Sequence, residues 1–167
     1  GCYLNLTTAT STVYGIYASS YSNITFNDST IEFTDARTTT YFIYANSYCP
    51  ITSNNVKMYG WAIGMNGAGN LYGFYGQYGS IMISNMTFKL RDCSPSYTYM
   101  GYCYNYGVQD GVLSIKDSLF DDFNDRCYYY HYLIYNYYSI GYYSNFTANV
   151  NHSWASYYYY GNYAFMD

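Results

Sequence analysis

Along this chain, polar corners alternate with short segments in which apolar and polar residues take turns. Ile31-Glu32-Phe33 follows Asn27-Asp28-Ser29, Val56-Lys57-Met58 follows Ser53-Asn54-Asn55, and Phe88-Lys89-Leu90 follows Ser84-Asn85. Apolar–charged–apolar at period two predicts a strand with one face buried and one face wet. Looser versions flank Asp117-Ser118, at Leu113-Ser114-Ile115 and Leu119-Phe120. A second family reads Gly15-Ile16-Tyr17-Ala18, Phe42-Ile43-Tyr44-Ala45, Ala62-Ile63-Gly64-Met65 and Leu133-Ile134-Tyr135-Asn136. No sustained stripe at the helical period is present, and β-branched, aromatic and glycine residues dominate. The pattern predicts an all-β protein built from short strands.

Two architectures accommodate such strands. An antiparallel β-sandwich joins neighbours by hairpins, and Asn66-Gly67 and Asp110-Gly111 are turn dipeptides of the right kind. A parallel solenoid instead stacks like positions about 4.8 Å apart, one coil on the next. Repetition favours the solenoid, with roughly six coils of about 25 to 30 residues. Its register is expected to set Glu32 beside Lys57, with Lys89 in the same outward column.

Three segments are near copies: Ser22-Asn23-Ile24-Thr25-Phe26, Ser84-Asn85-Met86-Thr87-Phe88 and Ser144-Asn145-Phe146-Thr147. Each contains an Asn-x-Ser/Thr acceptor for N-linked glycans, and such triplets begin at Asn5, Asn23, Asn27, Asn85, Asn145 and Asn151. Covalent N-linked glycans are therefore expected, on a secreted or cell-surface protein. Asn23 and Asn27 stand too close for two full glycans.

The corner-and-strand units, such as Ser22–Phe26 and Ile115-Lys116-Asp117-Ser118-Leu119-Phe120, resemble those of right-handed parallel β-helix proteins of the pectate-lyase-like superfamily. The resemblance spans about Tyr14 to Val150. It implies a β-helix with open edges at both ends. It also implies a comparison with enzymes that cut acidic polysaccharides through clustered aspartates, arginine or lysine and often calcium.

Composition changes the picture in two ways. Only 10% of the 167 residues are charged, while 30 tyrosines and 9 phenylalanines raise the aromatic share to 25%. Thirty amphipathic rings exceed what one small core can hold, so many must face a contact surface. The tracts Tyr128-Tyr129-Tyr130-His131-Tyr132 and Tyr157-Tyr158-Tyr159-Tyr160 are expected to be ordered strands that meet another subunit or a glycan. The net charge of −4 and the scattered Arg37, Lys57, Lys89, Arg91, Lys116 and Arg126 make no phosphate-binding stripe, which argues against nucleic acid. No apolar run reaches membrane-spanning length.

Candidate chemistry is sparse. The five cysteines, Cys2, Cys49, Cys93, Cys103 and Cys127, lack metal-type spacing. In a secreted setting they are disulfide candidates, with one left over. Asp121, Asp122 and Asp125 form the one acidic cluster, but adjacent strand residues point to opposite faces, so Asp121 and Asp122 are not expected to act together. His131 and His152 lack a nucleophile-elbow context, and the glycines from Gly64 to Gly69 lack the lysine of a phosphate loop. No catalytic, cofactor or metal site is expected.

Residues 1–167 are read as a single β-solenoid domain, either a whole mature protein or one segment of a longer surface protein. The expected function is structural: a self-associating extracellular glycoprotein, the protomer of a filament, appendage or coat, with copies of itself and glycans as partners. The alternative is a carbohydrate-binding or adhesin-like module, with a polysaccharide-degrading enzyme behind both.

Overall fold

A computed structural model describes the backbone of residues 1–64, 68–105, 111–155 and 162–166, and the side chains of these residues up to Asn151 except Asn124 and Asp125. Two sheets are formed by strands taken alternately from the chain. The first holds β1 (Tyr3–Thr7), β3 (Ile24–Thr34), β5 (Ile51–Trp61), β7 (Ile81–Ser84) with β8 (Thr87–Arg91), β10 (Val112–Cys127) and β12 (Ile140–Ala155). The second holds β2 (Val13–Ala18), β4 (Thr40–Ala45), β6 (Asn70–Gln77), β9 (Tyr97–Tyr104), β11 (Tyr130–Tyr137) and β13 (Asn162–Met166). Every pairing is parallel, and a strand always pairs with the one a full coil away: Ile24 with Ile51, Ile51 with Ile81, Ile81 with Leu113. The chain is a parallel β-solenoid of five to six coils. A sandwich would pair sequence neighbours through hairpins; here no sequence neighbours pair, and all but β7 and β8, which follow one another along the same coil, lie in different sheets. Asn66-Gly67 and Asp110 lie outside the described residues.

Stacking turns the alternation of each strand into columns. On the first sheet, Ile31, Met58, Phe88 and Phe120 follow one another inward, as do Ile24, Ile51, Ile81 and Leu113. The second sheet contributes Phe42, Ile43, Leu71, Phe74, Met100 and Ile134, all buried. Rings interlock edge to face across the core, Phe33 on Phe42 at 4.7 Å and Phe42 on Phe88 at 5.0 Å. Each such side chain contributes about 1.5–3 kcal/mol by leaving water.

The corners are columns too. Asp28, Asn55, Asn85, Asp117 and Asn145 stack, and all five adopt left-handed backbone with φ between 48° and 53°. Asn and Asp tolerate this conformation better than other side-chain-bearing residues. Their side chains then bond from coil to coil: Asn55 Nδ2 donates to Asp28 Oδ1 and Asn145 Nδ2 to Asp117 Oδ1, both at 2.7 Å. This corner bends the first sheet into two flanks. It divides β7 from β8 at Asn85 but is absorbed within β10 at Asp117.

Three sequence expectations need correction. Lys57 does not stack beside Glu32: it pairs with Thr30 and Thr87, while Glu32 pairs with Tyr59, which pairs with Lys89. The apolar triplets Ile31–Phe33 and Val56–Met58 looked equivalent, yet Ile31 stacks on Met58, so the true match is displaced by two residues. Such a slip preserves inward and outward faces, which is why alternation alone did not reveal it. Second, Ala62-Ile63 is not in a strand, and the coil above Phe42–Ala45 is supplied by Gly73-Phe74-Tyr75-Gly76. Third, Asn23 and Asn85 are not equivalent. Asn85 stacks in the mid-sheet corner, whereas Asn23 precedes the first residue of β3, Ile24, which pairs with Ile51. Any corner that enters a strand gives the same local pattern.

Candidate functional site

The second sheet carries an unusual outer face. In four of its strands, β4, β6, β9 and β11, two consecutive residues turn inward: Phe42-Ile43, Gly73-Phe74, Met100-Gly101 and Leu133-Ile134. Over these four coils each inward column of large residues is interrupted once by glycine, Gly73 between Phe42 and Met100 and Gly101 between Phe74 and Ile134. A Cβ on Gly73 would run into the Phe88 ring and the Met100 carbonyl, and one on Gly101 into the Phe74 ring. With two residues turned in, the residues on either side of the pair both point out. These are Tyr14 and Tyr17, Tyr41 and Tyr44, Tyr72 and Tyr75, Tyr99 and Tyr102, and Tyr132 and Tyr135.

The result is two parallel tyrosine ladders. In one, Tyr14, Tyr41, Tyr72, Tyr99 and Tyr132 stack at 5.1, 4.6, 5.0 and 5.0 Å with ring planes within 7° of parallel. In the other, Tyr17, Tyr44, Tyr75, Tyr102 and Tyr135 stack at 5.2, 5.0, 4.8 and 5.0 Å. The spacing is that of the strands themselves. Between the ladders each pair within a coil meets edge to face, as Tyr41 does with Tyr44 at 5.0 Å and Tyr72 with Tyr75 at 5.5 Å. A further column, Tyr21, Tyr48 and Tyr78, stacks at the neighbouring corner.

This geometry decides what the face can offer. A ring inside a ladder has both π faces covered by its neighbours, so its outer edge and hydroxyl meet the surroundings. Open ring faces are left at the end of the ladders, where Tyr14 and Tyr17 are 40% and 59% exposed. Burial pushes the phenols of Tyr41, Tyr75 and Tyr99 well above the usual tyrosine range and that of Tyr102 up to about 12. These four phenols are therefore uncharged at neutral pH. Some hydroxyls are engaged locally: Tyr75 donates to Gln77 Oε1 at 3.1 Å, and Asn46 Nδ2 donates to the Tyr44 oxygen at 3.3 Å.

The sequence concentrated attention on tyrosine tracts in the last third of the chain, but the ladders begin at Tyr14. Their signal was present as Tyr-x-x-Tyr, which recurs at 14–17, 41–44, 72–75, 99–102 and 132–135. Tyr157–Tyr160 lies outside the described residues, as do the side chains of His152 and Asp125.

Asp121 and Asp122 part company, as alternation requires. Asp121 points outward to Arg91, with Nη2 2.6 Å from Oδ2. Asp122 points inward, occupying a column otherwise made of Phe33, Gly60, Leu90 and Val150. There its Oδ2 lies 2.7 Å from His131 Nε2, both side chains almost wholly buried. Burial pushes His131 down to about 3, so the imidazole is neutral at ordinary pH. Cys127 lies close enough to feel Asp122, and burial raises its thiol to about 11. The pair ties β10 to β11 from inside the core, and its burial leaves no face for a substrate. Alternation along the strand separates Asp121 from Asp122 but does not reveal the pair, whose partners belong to different sheets.

The disulfide expectation is overturned: all five cysteines are free thiols, Cys2 exposed and Cys49, Cys93, Cys103 and Cys127 buried. The stacking keeps them in different columns. Cys103, for example, faces Gly76 and Asn136 in the coils on either side. Three buried sulfurs instead lie against backbone carbonyls, as Cys49 does to Asn46 O at 2.8 Å and Cys127 to Tyr130 O at 2.7 Å, while Cys103 lies against the Asn105 amide and the Ser139 hydroxyl.

All six acceptor asparagines, Asn5, Asn23, Asn27, Asn85, Asn145 and Asn151, are exposed. All six also lie in or beside strands of the first sheet. Asn85 and Asn145 stand on either side of Asp117 along one shallow groove. Among the described residues no group of His, Cys, Asp and Glu is arranged to hold a metal ion, and no helix is long and apolar enough to cross a membrane. No family model, curated protein or solved structure matches the chain.

Proposed function

We propose that this protein is a structural, self-associating extracellular glycoprotein, glycosylated on the flanks of its first sheet and packing against copies of itself through its tyrosine face and open coil ends. The observation that carries this reading is the segregation of the two surfaces. Every acceptor asparagine belongs to the first sheet, while the strands of the second carry the tyrosine ladders and no acceptor. Glycans on one side would keep that side apart from neighbours and leave the aromatic side bare. A flat, uncharged face of hydroxyl-tipped rings suits contact with an identical face, since nothing on it repels its copy. The open ring faces of Tyr14 and Tyr17 and the unpaired edges of β1 and β2 suit continuation of the stack.

A carbohydrate-binding role is the second reading, favoured by the regular comb of tyrosine hydroxyls. It is weakened because aromatic platforms for sugars use open ring faces, and within the ladders those faces are covered. The resemblance of the corner-and-strand units to those of pectate-lyase-like β-helices supports either reading and adds no catalytic group. Among the described residues no catalytic set supports an enzymatic role.

The test is a glycan wedge. The double substitution Tyr75→Asn/Gln77→Thr places an acceptor triplet, Asn-Gly-Thr, in the centre of the tyrosine face. The protein is produced in a glycosylating secretory host and examined by sedimentation and electron microscopy. Wild-type protein is expected to assemble into extended objects, and the wedged, glycosylated variant to remain dispersed. Wild-type protein that stays monomeric at micromolar concentration defeats the reading and sends the ladders to a glycan-binding screen.

A further inference from the structure

We propose that the tyrosine ladders are sites of intramolecular oxidative coupling, in which an oxidant of the haem-peroxidase class, working with hydrogen peroxide, joins stacked phenols of neighbouring coils as dityrosine. The inference goes beyond self-association and does not depend on it, because the bonds form within one chain.

The chemistry needs two phenols held in contact and open to an oxidant at their hydroxyls, and the ladders provide both. Successive rings lie 4.6 to 5.2 Å apart and nearly parallel, so the ortho carbons of one ring sit over the face of the next. Each of two neighbouring phenols gives up one electron and one proton from its hydroxyl, leaving two phenoxyl radicals with spin on the ortho carbons. A carbon–carbon bond forms between ortho carbons of the two rings. The two ring C–H bonds then break, and their protons return to the oxygens as both rings become aromatic again. The two electrons and two protons removed at the start convert one hydrogen peroxide to two waters, so the balance closes.

Three structural features direct the product. The rings are held in the sheet and cannot diffuse to a random partner. The phenols are neutral, which makes loss of the proton together with the electron the available route. Among the described residues, the exposed cysteine, tryptophan and methionine, Cys2, Trp61 and Met82, belong to the first sheet or its edge rather than to the ladder face. The tightest rung, Tyr41 on Tyr72 at 4.6 Å, is assigned as the principal site.

Dilute intact protein is treated with a haem peroxidase and hydrogen peroxide, and the cross-linked peptides are mapped by mass spectrometry. The expected result is dityrosine emission at monomer mass, with links confined to column neighbours: Tyr41–Tyr72 foremost, then Tyr72–Tyr99, Tyr44–Tyr75 and Tyr75–Tyr102. In Tyr72→Phe/Tyr75→Phe the stack keeps its rings and loses two phenols. All four of those links should vanish, while Tyr99–Tyr132 and Tyr102–Tyr135 persist. The same reaction in denaturant should scatter the links. Coupling that ignores the columns in the folded protein, that joins exposed tyrosines outside any stack such as Tyr3 or Tyr138, that runs only between chains, or that leaves the ladders untouched overturns the proposal. Absence of assembly in the wedge experiment would leave it standing.

Discussion

Tyr41 and Tyr72 lie 4.6 Å apart with their ring planes 6° from parallel, although they are 31 positions apart in the chain. The contact exists because a coil boundary, not a local turn, brings them together, and the same relationship repeats along both ladders. Tyr72 touches Tyr41 and Tyr99 face to face and Tyr75 edge to face. Aromatic pairs contribute about 0.5–1.5 kcal/mol each beyond burial. Tyr72→Ala should therefore cost about 2–3 kcal/mol, and Tyr72→Phe, which keeps the ring, about 1 kcal/mol or less. Denaturant midpoints of the two variants check this, and equal losses would show that the stack contributes little.

The buried Asp122–His131 pair predicts an acid-sensitive fold. The folded-state pKa of His131 is depressed from 6.5 to about 3, so below pH 6.5 the unfolded chain takes up a proton that the folded chain does not. Stability should fall as pH drops through that window, by at most about 1.4 kcal/mol per pH unit from this group. Above pH 6.5 the group has no such effect. Asp122→Leu/His131→Leu replaces the pair with apolar side chains and should be near neutral at pH 7 while flattening this part of the acid limb. Asp122→Leu alone should be worse than the double variant. Urea titrations at several pH values measure all three.

Thiol counting tests the cysteine assignment. A water-soluble thiol reagent should label one cysteine per native chain, Cys2, and all five after denaturation, without reductant. Cys103 and Cys127 should be slow even in partly opened protein, because burial holds each thiol at about 11. Fewer than five labelled thiols in denaturant would reveal disulfides that the stacked columns do not accommodate.

The left-handed corner gives a fourth test. Asp117 has φ 50° and accepts a hydrogen bond from Asn145 Nδ2. Asp117→Val puts a β-branched side chain into a conformation it strongly disfavours and should cost about 1–3 kcal/mol. Asp117→Gly relieves the strain, loses the hydrogen bond and should cost less. The order of their thermal midpoints decides the point: Val above Gly contradicts a left-handed corner there.

Much of the fold was legible because it is written locally. Ile31-Glu32-Phe33 shows its buried and wet faces without help from any partner, and Asn85 before a strand announces a corner. The Asp121/Asp122 divergence also followed from alternation alone. Register was harder. A slip of two residues leaves every face unchanged, so Lys57 was set beside Glu32 when Tyr59 belongs there. The ladders were missed for a related reason: a single Tyr-x-x-Tyr is compatible with a helix, a loop or an irregular strand. Only its stacking across five coils, made possible by two inward residues between the tyrosines, gives it meaning.

The sequence by itself determined an all-β chain with repeated strands, polar corners, acceptor triplets beside those corners and more tyrosine than a core can hold. Those properties depend on neighbours along the chain, whose geometry is set by backbone alternation and by which residues tolerate a corner. Tertiary structure alone decided which residues share a column, and with it the tyrosine ladders, the buried Asp122–His131 pair and the isolation of the five thiols. Coil lengths set the columns: partners lie 27 residues apart at Ile24 and Ile51 but 33 apart at Thr98 and His131. An irregular loop of a few extra residues changes the spacing while the sheets hold their register, so contacts between coils are written in the packing of the core and not in any fixed sequence period.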